Sequence, residues 1–175
     1  TKSCFIAAKA ADIPLVNTKI SSLVADQIPG VHIDMYEAGQ ISAEHLIARG
    51  LRKLAVFGFS GINSTHLYYQ GMRSIAQKYD YPISHHSVSS NYEKNSTQWI
   101  RFVERIDRSL ERWQAPIGLG VTSAILARNI AIRSINKGWV IPEQLAMVTC
   151  GNEVSICTAI DPTISSIHMG HYQCG

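Results

Sequence analysis

Gly58-Phe59-Ser60-Gly61 follows the apolar run Leu54-Ala55-Val56-Phe57, so it is the first place to look for a nucleophile. A serine on a strand-to-helix elbow needs a glycine two residues away on each side. Here the glycines stand at 58 and 61, and the spacing fails. Gly118-Leu119-Gly120 runs into Val121-Thr122-Ser123 without the third glycine of a dinucleotide loop. No lysine follows a glycine-rich loop in Walker spacing. His85 and His86 are adjacent, which on a strand sends them to opposite faces. The expectation there is two surface histidines rather than a metal site. Cysteines at 4, 150, 157 and 174 match neither a zinc spacing nor a compact disulfide framework. Cys150 lies in an apolar run and reads as a buried thiol, which favours a reducing compartment. No acid–base pair and no nucleophile with its base emerges. The reading is a non-enzyme without cofactor or metal.

Other motifs weigh little. Asn63-Ser64-Thr65 and Asn95-Ser96-Thr97 fit a glycan acceptor, which matters only in a secreted protein. The segment from Gln144 to Ile156 mimics a helix-turn-helix, with Gly151 at the turn. It holds no Lys or Arg to grip phosphates, and it reads better as the run into a buried strand. Arg101, Arg105, Arg108 and Arg112 alternate with Glu104, Asp107 and Glu111, the pattern of a solvated, salt-bridged helix face. A net charge of +3 is too mild to argue for nucleic-acid binding.

The elements that must position these residues follow from periodicity. The 175 residues are 46% hydrophobic and 17% charged, as in a soluble globular domain. No run reaches the roughly 18 apolar residues of a membrane span. No basic stub followed by an apolar stretch opens the chain, and it is the free thiols that make a cytoplasmic location the expectation. The chain starts at Thr1 rather than Met and is read as a piece of a longer protein. Short strands are predicted over residues 15–17 and 31–34. A helix is predicted over 37–49, with Ala38, Ile41, Leu46 and Ile47 on one face and Gly50 as its stop. Strands over 53–59, 83–88, 117–121 and 145–149 then alternate with helices over 64–79, 96–113 and 124–136. The first of these helices should bury Tyr68, Met72, Ile75, Ala76 and Tyr79. The second should bury Trp99, Phe102, Val103, Ile106, Leu110 and Trp113. A last strand is predicted over 165–168. Continuously apolar strands mean burial on both faces, hence an α/β fold with a parallel sheet flanked by helices. Ligands of such sheets bind at the carboxyl ends of the strands. The positions to inspect are Asn17, Thr18, Ser60 to Ser64, Thr122, Ser123, Gly151 and Asn152.

Three segments carry a family resemblance: residues 31–58, Pro116 to Arg128, and Lys137 to Val148 continuing through Gly151-Asn152 to Ile167. Together they resemble the ligand-binding domain of lactose- and galactose-repressor-type transcription regulators and their periplasmic sugar-binding relatives. The nearest subgroup is the xylose-operon regulator type, where such a domain precedes an AraC-type DNA-binding domain. The resemblance implies a periplasmic-binding-protein-like fold of two lobes that close over a small polar ligand, a pentose or other sugar. On this chain, residues 1–35 resemble a remnant of the first lobe and 36–175 the second lobe. It further implies DNA contact through a domain outside this chain, a homodimer, and no membrane partner. By position it makes Asn17, Thr18, Ser64, Tyr68, Ser123 and Asn152 the candidate ligand-binding residues.

The departures from the family pattern are specific. Where the family has an arginine, this chain has Tyr68, three residues before Gly71. Ser123 and Ala124 stand for Asn-Asp, and Gly151 stands where an Asp precedes Asn152. Each candidate also has a plain structural reading. Tyr68 could pack in the core, Asn152 could stabilise a turn, and Ser64 and Ser123 could cap helices. Two other functions share the fold: a solute-binding protein of a transporter, and a dimerisation domain that no longer responds to ligand.

Overall fold

The computed structural model describes residues 2–18 and 25–170. The chain opens with α1 (Lys2–Ala10), a 3-10 turn at Ala25–Gln27, and α2 (Met35–Ile47). It then alternates β1 (Leu54–Phe59), α3 (Asn63–Lys78), β2 (Ile83–Val88), α4 (Ser96–Arg112), β3 (Ile117–Val121), α5 (Ala124–Asn136), β4 (Leu145–Cys150), α6 (Val154–Cys157) and β5 (Ser165–Ile167). The five strands form one parallel sheet in the order β2-β1-β3-β4-β5. The register pairs Phe57 with Val121, Val121 with Thr149, and Thr149 with Ser166. All carboxyl ends therefore meet along one edge, and with them Ser60, Thr122, Ser123, Gly151 and Asn152 of the positions picked out in the sequence.

Strand alternation divides the core in two. Ala55, Phe57, Leu119 and Val121 face α4 and α5, and pack with Phe102, Ile106 and Ile130. Leu54, Val56 and Val148 face α2 and α3, and pack with Leu46, Tyr68, Met72 and Ile75. The helices α2 and α3 touch backbone to backbone. A Cβ on Gly39 would collide with the Tyr68 carbonyl, and one on Gly71 with the Tyr36 carbonyl. Gly50, the predicted stop, takes φ +86°, and its N–H donates to the Ile47 carbonyl at 2.8 Å.

Several expectations are corrected. Residues 15–17 and 31–34 form no strands; a lone bridge joins Asn17 to Gly30. One bridge without further strands beside it does not make a sheet. Helix α1 and the short α6 were not expected; α6 spans four residues, and Glu153 at its N-cap position makes no side-chain capping bond. Ile41 is exposed, since the close approach to α3 turns the small residues Ala38, Gly39, Ser42 and Ala43 inward instead. Tyr79 is exposed because α3 ends one residue earlier and its ring turns out onto Tyr81, 5.7 Å away. Trp99 lies in the first turn of α4, half-exposed, with its ring against Phe102 and Tyr92.

The α4 charges also differ from expectation. Asp107 has no arginine three or four residues away on its own helix. It accepts instead from Arg133 Nε of α5 at 2.6 Å, with Lys137 Nζ 3.5 Å away. The guanidinium holds its carboxyl below the usual range. Among the described residues no arginine of α4 enters an ion pair.

Candidate functional site

Three turns after the central strands, and the exit of β5, form the carboxyl edge. After β1, both the N–H and the Oγ of Ser60 donate to the Val88 carbonyl, at 2.8 and 3.2 Å. The Phe59 N–H donates to Thr65 Oγ1 at 3.3 Å. These bonds tie the β1 turn to β2 and to α3. A groove of about 410 Å³ opens there, lined in part by Ser60, Asn63, His66 and His85.

After β3, Thr122 Oγ1 is buried without a hydrogen-bond partner, an exception to ordinary buried hydroxyls. A Cβ on Gly58 would fall 2.8 Å from that oxygen, so glycine is what lets the threonine sit there. Ser123 occupies the N-cap position of α5 in extended backbone, but its side chain makes no capping bond. The capping reading is thus right in position and wrong in chemistry, and the hydroxyl stays uncommitted to the helix.

After β4, Gly151 takes φ +84°, a left-handed conformation that side chains resist. Asn152 Oδ1 accepts from Ser166 Oγ at 2.8 Å, which ties this turn to β5. Glu153 folds back over Gly151, its Oε2 3.1 Å from where a Cβ there would stand. At the end of β5 and just past it, Ile167, His168 and Met169 run beside His32, Ile33 and Asp34, and with α2 they line a groove of about 260 Å³.

The other candidates are placed differently. Tyr68 is fully buried, and its hydroxyl donates to Ser42 Oγ at 2.6 Å. Burial, then the neighbouring Cys150, push its phenol well above the usual range. Burial likewise pushes the Cys150 thiol up to about 12. The packing reading describes Tyr68. Ser64 lies inside the first turn of α3, whose N-cap position is Ile62, so it does not cap that helix. Asn17 is buried at its bridge to Gly30 and Thr18 is exposed; both lie outside the five-stranded sheet. Cys157 is buried, and Cys174 lies outside the described residues.

Of the two histidines, only His85 is an exposed side chain, stacked on Tyr69 at 4.9 Å. His86 is half-buried beside Phe57 and Trp113. Its Nε2 accepts from Trp113 Nε1 at 3.0 Å. An indole N–H only donates, so the imidazole proton sits on Nδ1, which donates to Ser109 Oγ at 3.0 Å. Burial, then the charges of Arg105, His85 and Arg112, lower its pKa to about 4. Among the described residues no group of three His, Cys, Asp or Glu is placed to hold a metal ion, and no helix is long and apolar enough to cross a membrane.

Residues 43–174 match the family model described as periplasmic binding protein-like domain. The chain belongs to this family. Solved structures share its fold. One is a LacI family transcriptional regulator from Enterococcus faecium with bound ribose, at TM-score 0.77 and 17% identity, covering 99% of this chain and 62% of that one. Another is a putative LacI transcriptional regulator from Bacillus cereus subsp. cytotoxis, at 0.71 and 21%, covering 98% and 59%. A third is a periplasmic binding protein/LacI transcriptional regulator from Alkaliphilus metalliredigens complexed with D-xylulofuranose, at 0.72 and 16%, covering 99% and 69%. No curated protein sequence matches the chain. This periplasmic binding protein-like chain thus spans about three fifths of the first two regulators.

At its carboxyl edge the periplasmic binding protein-like sheet collects Thr122, Ser123, Asn152, Glu153 and Ser166. Of the residues at this edge, sequence reasoning named Ser123 and Asn152 and did not name Glu153 or Ser166. The signal for Glu153 was its place directly after Asn152; its fold-back depends on the Gly151 conformation.

Proposed function

We propose that this chain is the effector-sensing part of a bacterial transcription regulator and that its ligand is a sugar-class polyol, pentoses included. The observation that carries this is the polar cluster of Ser123, Asn152, Glu153 and Ser166 on the carboxyl edge of a periplasmic binding protein-like sheet. Carboxylate, amide and hydroxyl groups together offer the directed acceptors and donors that a polyhydroxylated ligand needs. Relatives of the same fold carry ribose and D-xylulofuranose.

In this reading residues 1–35 are a remnant of the first lobe and 36–175 form the second. The two segments around residues 31–34 and 167–169 lie side by side and would act as the crossings about which the lobes close. Closure shifts a two-state equilibrium that a DNA-binding domain outside this chain reads out, in a homodimer. The narrower likeness to xylose-operon regulators with an AraC-type domain rests on the sequence segments alone. Tyr68 enters the reading as a packing residue, while Asn17 and Thr18 belong to the first-lobe side.

Isothermal titration of the intact protein against a panel of pentoses and hexoses tests the proposal. Saturable heat with at least one sugar is expected. Glu153→Gln or Asn152→Ala should then weaken binding about tenfold or more, since each removes a directed polar contact. No heat with any sugar would leave the dimerisation reading standing in its place.

A further inference from the structure

Arg101, Arg105 and Arg108 recur on α4 at steps of four and three, so they share one face of the helix. With Ser87 and Ser89 from the end of β2, and with Gln98, they line a groove of about 530 Å³. The groove lies at the outer edge of the sheet, on the α4 side of β2, apart from the turns after β3 and β4. Tyr92 and Phe102 give it an apolar wall. Among the described residues that line it, Glu104 is the one carboxylate.

A salt-bridged face would pair these charges, and among the described residues no arginine of α4 enters an ion pair. Its acid Asp107 is spent on Arg133 and Lys137. Arg108 Nε donates to the Glu104 backbone carbonyl at 3.3 Å. Arg105 Nε is a buried donor without an acceptor, and Gln98 Oε1 a buried acceptor without a donor. Like charges four residues apart, as at Arg101 and Arg105, repel on a helix. Three guanidinium groups and two hydroxyls therefore converge on one groove with a single opposing charge. Guanidinium forks match carboxylate and phosphoryl oxygens in pairs.

We propose that this groove binds a small, multiply charged oxyanion, a phosphoryl or polycarboxylate compound, at a site separate from the sugar-class site. The charge of Arg105 also reaches His86 and helps keep it neutral, as do His85 and Arg112. An anion seated on Arg105 offsets that charge, so His86 should titrate at higher pH when the groove is filled.

The test is NMR titration of the 175-residue chain with inorganic phosphate and, separately, citrate, at constant ionic strength set by sodium chloride. Saturable shifts confined to the amides of Ser87–Ser89 and Gln98–Arg108, with an upward move of the His86 titration, are expected. Saturation by phosphate alone assigns a phosphoryl ligand, and by citrate alone a polycarboxylate. Arg105→Met should weaken binding about tenfold or more, while Arg112→Met, on the same helix but outside the groove, should not. Should Arg105→Met fail to fold by circular dichroism, Arg101→Met, an exposed side chain of the same groove, makes the same comparison. Absence of saturation with both anions, or equal weakening by Arg112→Met, overturns the proposal. Sugar titrations repeated with the anion present keep this result distinct from the sugar reading.

Discussion

Tyr68 stands where the resembling regulators place an arginine, yet its hydroxyl is turned to Ser42 inside the fold. Tyr68→Phe keeps the ring packing and removes one buried hydrogen bond, and Ser42 still donates to the Ala38 carbonyl at 2.8 Å. The expected loss is about 1 kcal/mol in urea unfolding, with any sugar affinity unchanged. A variant that unfolds normally but loses sugar would return Tyr68 to the ligand. His86 makes a second residue-scale prediction. Its folded pKa of about 4 lies below the unfolded value of 6.5. The unfolded chain therefore takes up a proton first as pH falls. This contribution to stability is complete above the unfolded value and is lost between there and about pH 4, at no more than about 1.4 kcal/mol per pH unit. His86→Gln should flatten that slope in denaturant melts at pH 7 and pH 5, and an unchanged slope would refute the assignment. Ser123 and Asn152 were legible in the sequence because parallel topology puts the residues just past each strand on the ligand edge. The surroundings of His86 were not, because Trp113 reaches it from the far end of α4.

The elements that pack on both sides were the ones periodicity could find. Strands β1, β3 and β4 read as unbroken apolar runs because both faces are covered. The inward face of α2 was misread because Gly39, Ser42 and Ala43 carry no hydrophobic signal, although close helix approach demands small residues there. The same geometry gives a prediction at this scale. Gly71→Ala gains about 1 kcal/mol of helix propensity. Against it stands a collision with the Tyr36 carbonyl, a backbone atom that cannot swing aside. Forcing a methyl into such a contact costs typically about 1–3 kcal/mol or more. The urea midpoint should fall, and a midpoint that rises would show that α2 and α3 can part cheaply.

Across the whole molecule, hydrophobic burial is distributed unevenly along the chain. Both core clusters draw on residues from Met35 onward, and among the described residues nothing before it enters either one. Ile6, Ile13, Val16 and Val31 are exposed. The early part instead gathers around its own shallow groove, where Phe5 meets Ile13, Pro14, Ile28 and Pro29. Resistance to opening follows buried apolar contact, so the two parts should open at different free energies. Brief thermolysin digestion, which cuts before apolar residues, should nick the chain ahead of Met35 first. The remaining fragment should keep a cooperative unfolding transition. Amides of β1, β3 and β4 should exchange slowest and those of α1 fastest. First cuts within α3 or α5, or equal protection of α1 and β3, would mean that the early residues belong to the same cooperative unit, and the division near residue 35 would fall. A chain that behaves as expected places the fold's stability in the residues from Met35 onward.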